Sequence, residues 1–288
     1  MTVNNQKNAV VTGVSTGIGQ GIAGSLIKNG WHVFGSVRKE KDAVAVKKVL
    51  GESFTPLIFD VTDSASIDLA AKHVKNILGG RTLDGLINNA GVQTTGPLRY
   101  LPVEDLETVM NVNVTGLLRT CQAFIPMLGG SDEYVGTPGK IVNISSLAGI
   151  VSAPFMGPYS ASKFAVEALS DAMRVELMPH GIDLIVVQPG AVKTPLFAKT
   201  AQQDFGQYHD TEYVESMDRL QKAQQPMANF GLEPSVIGDL VVSIFNKASP
   251  SVRYSIMKGK FTRVVLPRLM PRRMLDRMFA KRFGLRVK

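Results

Sequence analysis

Short apolar runs alternate with longer segments of mixed polarity along this chain. The runs are "AVVTG" (9–13), "HVFGSVR" (32–38), "TPLIFDV" (55–61), "LDGLINNAG" (83–91), "GKIVNISS" (139–146), "IDLIVVQPG" (182–190) and "SVRYSIM" (251–257). They are apolar along their length rather than at every second position, as parallel strands covered on both faces are. Strand–helix alternation of this kind predicts an α/β, doubly wound sheet of about seven parallel strands with helices on both faces. Such sheets bind ligands beyond the carboxyl ends of their strands, so residues just after each run are where chemistry is sought. No linker or repeat divides residues 1–288, which read as a single domain.

Two segments break the rhythm. "GGSDEYVGTPG" (129–139) is a Gly-rich surface loop. The long polar stretch of about 191–234 follows the sixth run at the ligand-binding edge. It reads as a substrate loop or lid, with an ordinary pair of surface helices as the alternative.

Composition narrows the function classes. Cys121 is the single cysteine and cannot form an internal disulfide, which fits a reducing cytoplasm. The start is polar, and no run approaches the length needed to span a bilayer. His32, His73, His180 and His209 are too dispersed for a metal site. The net charge of +8 is uneven. From Arg253 onward there are twelve Lys/Arg and one acid, leaving 20 basic against 23 acidic residues, a net of −3, for the body. A mildly acidic body argues against nucleic-acid binding.

Directly after the first run comes "TGVSTGIG", with Thr12, Gly13, Gly17 and Gly19. Glycines at a strand-to-helix turn let backbone amides and a helix start approach a pyrophosphate. The literal G-x-G-x-x-G at Gly19, Gly21 and Gly24 is offset into the following helix, where Gly21 and Gly24 are expected to pack closely on the sheet. The second run ends at Val37 with Arg38 and Lys39, where NAD enzymes usually carry an acid for the ribose. Arg38, helped by Ser36, suits a 2′-phosphate, so NADP(H) is favoured over NAD(H); Arg38 merely stacked on adenine would leave NAD usable.

"YSASK" (159–163) sets Tyr159 and Lys163 one helical turn apart on one face. A phenol is a poor base at neutral pH. A neighbouring ammonium favours the phenolate and brings it toward working range, so Tyr159 could exchange a proton with a substrate oxygen. Ser146 follows the fifth run at the same edge, with Ser145 as its rival, and its hydroxyl could stabilise charge on that oxygen.

Taken together, "TGVSTGIG", "NNAG" (88–91), Ser146 and "YSASK" resemble the short-chain dehydrogenase/reductase family over roughly residues 7–195. The resemblance implies a single Rossmann-like domain and a catalytic set of Asn113, Ser146, Tyr159 and Lys163. It favours Ser146 over Ser145 and, through Asn-x-x-Gly, Asn113 over Asn111. Asn113 would support a water leading from Lys163 to solvent, and Lys163 would hold the nicotinamide ribose. For the cofactor it implies Gly13, Ser15, Thr16, Gly17, Ile18 and Gly19 at the turn. Asp60 and Val61 would hold adenine, and Asn88, Ala90 and Gly91 the ribose and diphosphate. Pro189, Gly190, Val192 and Thr194 would lie by the nicotinamide. It also implies a homodimer or homotetramer formed through the helices carrying Asn113 and Tyr159.

The basic tail, about 259–288, contains "PRRMLDRMFAKRFGL" (271–285). Pro271 and Gly284 suit a helix start and end, and Met274, Leu275, Met278, Phe279 and Phe283 form an apolar stripe. Such a helix packs on the protein's own body, where it could close a substrate pocket, or lies as a peripheral contact in an anionic membrane surface. Either version fits an apolar carbonyl or alcohol substrate, as do Phe155, Met156, Phe197, Phe205, Met217 and Met227. In this respect the chain is similar to the hydroxysteroid and retinol dehydrogenase branch. The expected function is interconversion of an alcohol with a ketone or aldehyde. The alternatives are a non-catalytic NADP sensor, or a membrane-surface protein acting through its tail.

Overall fold

The computed structural model describes residues 6–196, 204–257 and 269–285, without the side chains of 224–230. Seven strands form one parallel sheet: β1 (Asn8–Val11), β2 (His32–Val37), β3 (Phe54–Ile58), β4 (Gly85–Asn88), β5 (Lys140–Ile144), β6 (Asp183–Pro189) and β7 (Arg253–Ile256). Their order is β3-β2-β1-β4-β5-β6-β7. The chain therefore reverses its direction of travel across the sheet between β1 and β4, which is where a doubly wound sheet opens a crevice.

Six helices precede β6: α1 (Gly17–Lys28), α2 (Glu40–Leu50), α3 (Ser64–Leu78), α4 (Val103–Met110), α5 (Gly116–Phe124) and α6 (Gly157–Glu176). After β6 come α7 (Val214–Phe230), α8 (Pro234–Phe245) and α9 (Arg272–Phe283). Two apolar layers flank the sheet. One joins Val10, Leu86, Ile141 and Val186 to α3, α5 and α6. The other joins Val11, Ile87, Val142 and Val187 to α1 and α8. Adjacent strand residues thus feed opposite layers, and this is why the runs are continuously apolar.

One expectation about α1 is corrected. A Cβ at Gly21 would meet Pro234 at 2.6 Å, and one at Gly238 would meet the Gly21 carbonyl oxygen at 2.5 Å. Gly21 therefore serves helix–helix packing against α8, which Ser25 reinforces by donating to Asp239 at 2.8 Å. Gly24 has only an ordinary contact with Leu50. Neither glycine packs on the sheet.

Segment 191–234 is pinched at its neck. Lys193 N donates to Leu232 O and Leu232 N to Ala191 O, each at 2.9 Å. It contains a short 3-10 turn, Gly206–Tyr208, and α7. Helix α9 ends at Gly284, whose φ of +72° places it in the left-handed region that glycine accepts readily. Phe197 and the Met227 side chain lie outside the described residues.

Candidate active site

Helix α6 opens with Pro158 in its first turn and carries Tyr159 and Lys163 beneath the carboxyl end of β5. Lys163 is 5% exposed, and its Nζ donates to the carbonyl of Ile144 at 2.9 Å. The same Nζ lies 5.7 Å from the centre of the Tyr159 ring. Ser146 caps the short turn Leu147–Gly149, its Oγ accepting from Ala148 N at 3.1 Å, and its hydroxyl lies close enough to the Tyr159 side chain to favour the phenolate. Ser146 thus caps the turn and stands beside Tyr159 at once. Ser145 is buried against Gly149, and its Oγ has no partner among the described residues. It is Ser146 that reaches Tyr159.

The electrostatics depart from expectation. Burial pushes the Tyr159 phenol above its ordinary value, and the nearby Ser146 hydroxyl opposes this only in part. Burial also lowers Lys163 to about 8, with the carboxylate of Glu167 resisting. Desolvation acts on both groups and dominates the pair. Burial thus works against the phenolate form of Tyr159.

Asn113, 2% exposed, sits in a π-helical turn, Asn111–Thr115, that joins α4 to α5. Its amide clamps Val92 from both sides, accepting from Val92 N at 2.8 Å and donating to Val92 O at 2.9 Å. It also donates to Ser162 Oγ at 2.9 Å, and Ser162 donates to Tyr159 O at 2.7 Å. Asn113 therefore ties the loop after β4 to the catalytic helix. Ser162 is a link that sequence spacing did not disclose.

The nucleotide end is built by close approach. Gly13 and Gly17 have φ of +71° and +62°. A Cβ at Gly13 would meet Ala90 Cα at 3.0 Å, one at Gly17 would meet Thr194 Cγ2 at 3.1 Å, and one at Gly19 would overlap the Gly13 carbonyl oxygen. Thr194 is thus brought beside the turn from the far end of the sheet. Val192, fully buried, pairs with Leu232, and Gly190 N donates to Ile256 O at 2.9 Å. The first turn of α1 has no acid, and Thr16 does not cap it with its side chain. Its unpaired amides and the tight glycine cradle suit a dinucleotide diphosphate.

Several residues expected at the nucleotide also have partners within the chain. Ser36 Oγ accepts from Gly13 N at 2.9 Å, so this hydroxyl braces the turn. Asn88 is buried, donating to Asn143 Oδ1 at 2.8 Å and Cys121 Sγ at 3.2 Å, so its side chain is committed to the core. The neighbouring Asn89, not anticipated, donates to the carbonyls of Thr12 and Gly13 at 2.9 and 3.1 Å. Thr12 Oγ1 in turn accepts from the backbone of Asn89 and Ala90. Asp60 binds the backbone and hydroxyl of Thr62 through Oδ1. Gly116 of the Asn-x-x-Gly pattern lets α5 approach Val61, since a Cβ there would lie 2.8 Å from Val61 Cγ2. Val37 is buried at the end of β2, while Arg38 and Lys39 are exposed.

The profile of short chain dehydrogenases matches residues 7–204. This chain belongs to the short-chain dehydrogenase/reductase family. It is 38% identical to an NADPH-dependent 3-dehydrocapnine reductase from Ornithobacterium rhinotracheale, over 95% of this chain and 96% of that one. It is 32% identical to a 3-ketodihydrosphingosine reductase from Bacteroides thetaiotaomicron, over 86% of each. Mouse (Mus musculus) retinol dehydrogenase 16 is 34% identical over 64% of this chain and 56% of its own. The short-chain dehydrogenase/reductase chain described here is accordingly an NAD(P)-dependent oxidoreductase.

Beyond Tyr159 and Lys163 lies a third apolar cluster. Phe155, Phe205, Tyr208, Met217, Leu220 and Phe283 are buried together, with Tyr213, Phe279 and Leu285 against them. Phe155 stands four residues before Tyr159 with φ of +68°, a conformation that costs a non-glycine residue roughly 1–3 kcal/mol. Its ring meets Tyr213 and Phe283 edge-on, with centroids 5.9 and 5.8 Å away. The stripe on α9 is therefore divided. Leu275 and Phe283 are buried, whereas Met274 and Met278 are exposed.

Proposed function

We propose that this protein catalyses NADPH-dependent reduction of a ketone on an apolar substrate, and the reverse oxidation. The observation that carries the reading is Tyr159, beside Ser146, with the Lys163 Nζ 5.7 Å from its ring and the aromatic cluster beginning four residues earlier at Phe155. NADPH, when bound, supplies the hydride. The glycine turn and Asn89-braced loop would hold its diphosphate, and Arg38 its 2′-phosphate. The Ser146 and Tyr159 hydroxyls would meet the carbonyl oxygen, and Tyr159 would give it a proton. A phenol kept protonated by burial is suited to that direction. The Lys163 cation would favour charge on the phenol as the proton leaves. Since the Asn113 amide is spent on Val92 and Ser162, a water relay past it would use its main-chain carbonyl.

The names of the two bacterial relatives, 3-dehydrocapnine and 3-ketodihydrosphingosine reductases, support a ketone as substrate, and the first supports NADPH. The exposed Phe164 on α6 supports pairing of subunits through α5 and α6. The test is NADPH absorbance with a panel of long-chain 3-oxo compounds, steroids, retinoids and short aliphatic ketones. Turnover of an apolar ketone with NADPH, at least about tenfold faster than with NADH, is expected; no turnover across the panel would overturn the reading.

A further inference from the structure

Helix α9 presents two unlike faces. Its inward side places Leu275, Phe279 and Phe283 against α7 and the catalytic loop, and a Cβ at Gly284 would meet the Arg219 guanidinium at 2.6 Å. At 100° per residue, the opposite side carries Arg273, Met274, Arg277, Met278 and Lys281, all exposed. Met274 and Met278 are 57% and 41% exposed, and Leu269, just ahead of the helix, is 75% exposed. Asp276, the only acid in the helix, falls toward the Phe283 side.

Two features of this face call for an external partner. Arg273, Arg277 and Lys281 follow one another at four-residue steps, so each repels the next. Among the described residues none of the three forms an ion pair. Large apolar side chains interleave with them instead of short polar ones. A polyanion without an apolar layer would engage the cations and leave the methionines in water, whereas a bilayer surface takes both.

We infer that the outward face of α9 docks on an anionic lipid bilayer. Arg273, Arg277 and Lys281 meet lipid phosphates, while Met274, Met278 and Leu269 enter the headgroup layer. The tail around this face carries most of the excess positive charge, and the body is mildly acidic, so the field orients the molecule tail-first. Because Phe283 on the inward side touches Phe155, docking would bring the aromatic compartment beside the membrane. That consequence rests on the apolar-substrate reading; the docking itself does not.

The experiment is co-sedimentation of the full chain, with NADPH present, with vesicles of phosphatidylcholine alone or with about 30% phosphatidylglycerol. Binding is expected only to the anionic vesicles and weakens as salt shortens the Debye length. Each basic residue near such a surface contributes about fivefold to partitioning. The triple variant R273E/R277E/K281E therefore loses about a hundredfold or more, and M274S/M278S loses several-fold while keeping the salt dependence. Unchanged melting and unchanged NADPH turnover of a water-soluble ketone in both variants would show that the fold is intact. Equal binding to neutral vesicles, no vesicle binding, wild-type binding by the triple variant, or preference for nucleic acid over vesicles would each overturn the inference. Docking without turnover of any ketone would instead overturn the proposed function alone.

Discussion

The glycine turn and the aromatic cluster hold their ligand-facing residues by opposite means. Around Gly13 and Gly17, a Cβ would crowd the Ala90 main chain and the Thr194 side chain, and Thr12, Ser36 and Asn89 fix the geometry with hydrogen bonds. Around Phe155, the contacts are ring edges, from Tyr213 ahead of α7 and Phe283 on the last helix. Hydrogen-bonded main chain tolerates little change, whereas apolar contacts tolerate substitutions of similar volume. One region is rigid in its main chain, and the other can be retuned.

The sharpest way to separate the two is to remove the proton donor between them. Tyr159→Phe should lower turnover by about 10²–10⁴-fold while NADPH affinity, read by fluorescence titration, stays within about twofold. Near-normal turnover would break the catalytic assignment. Arg38→Ala should raise the KM for NADPH by about 10–100-fold, the worth of a charge-assisted hydrogen bond, and leave NADH use nearly unchanged. Equal losses with both cofactors would place Arg38 against adenine instead. Phe283→Ala should raise the KM for a long apolar ketone by about tenfold with little effect on a short one or on NADPH binding. This follows from loss of one buried aromatic contact. Comparable losses on short and long ketones would mean that the cluster supports the catalytic loop generally.

The smallest expected effect is on pH dependence. Burial lowers Lys163 to about 8, so its cation is present below that value and lost above it, and turnover should fall as pH rises through about 8. Glu167 favours the cation and is held by Gln188 and Arg253, each at 2.9 Å. Glu167→Gln should therefore move the falling limb to lower pH. An unmoved limb would assign it to another group.

This contrast also explains what the sequence disclosed. Strand runs, the Gly13–Gly19 turn and the Tyr159–Lys163 spacing are local patterns, and each is imposed by backbone geometry that recurs at a fixed interval. Asn89 was overlooked because its work is done on the carbonyls of Thr12 and Gly13, far away in the chain, while its neighbour Asn88 turned into the core. Gly21 faces a helix more than two hundred residues onward. The meeting of Phe155 with Phe283 has no spacing at all to betray it. Even the left-handed Phe155 is invisible in sequence, since nothing local demands that conformation of a phenylalanine. The tail stripe was legible as a stripe, but its division into a packed and an exposed half depends on which helix lies beneath.

The pinch between Ala191 and Leu232 makes segment 191–234 a detachable cassette. Its two ends meet at one point beyond β6, held by two reciprocal main-chain bonds, so the residues past Pro195 can change in length and content while Thr194 stays against Gly17. A relative's segment exchanged between Pro195 and Leu232 would carry its own substrate preference onto this cofactor platform, giving new chemistry a single place to be spliced.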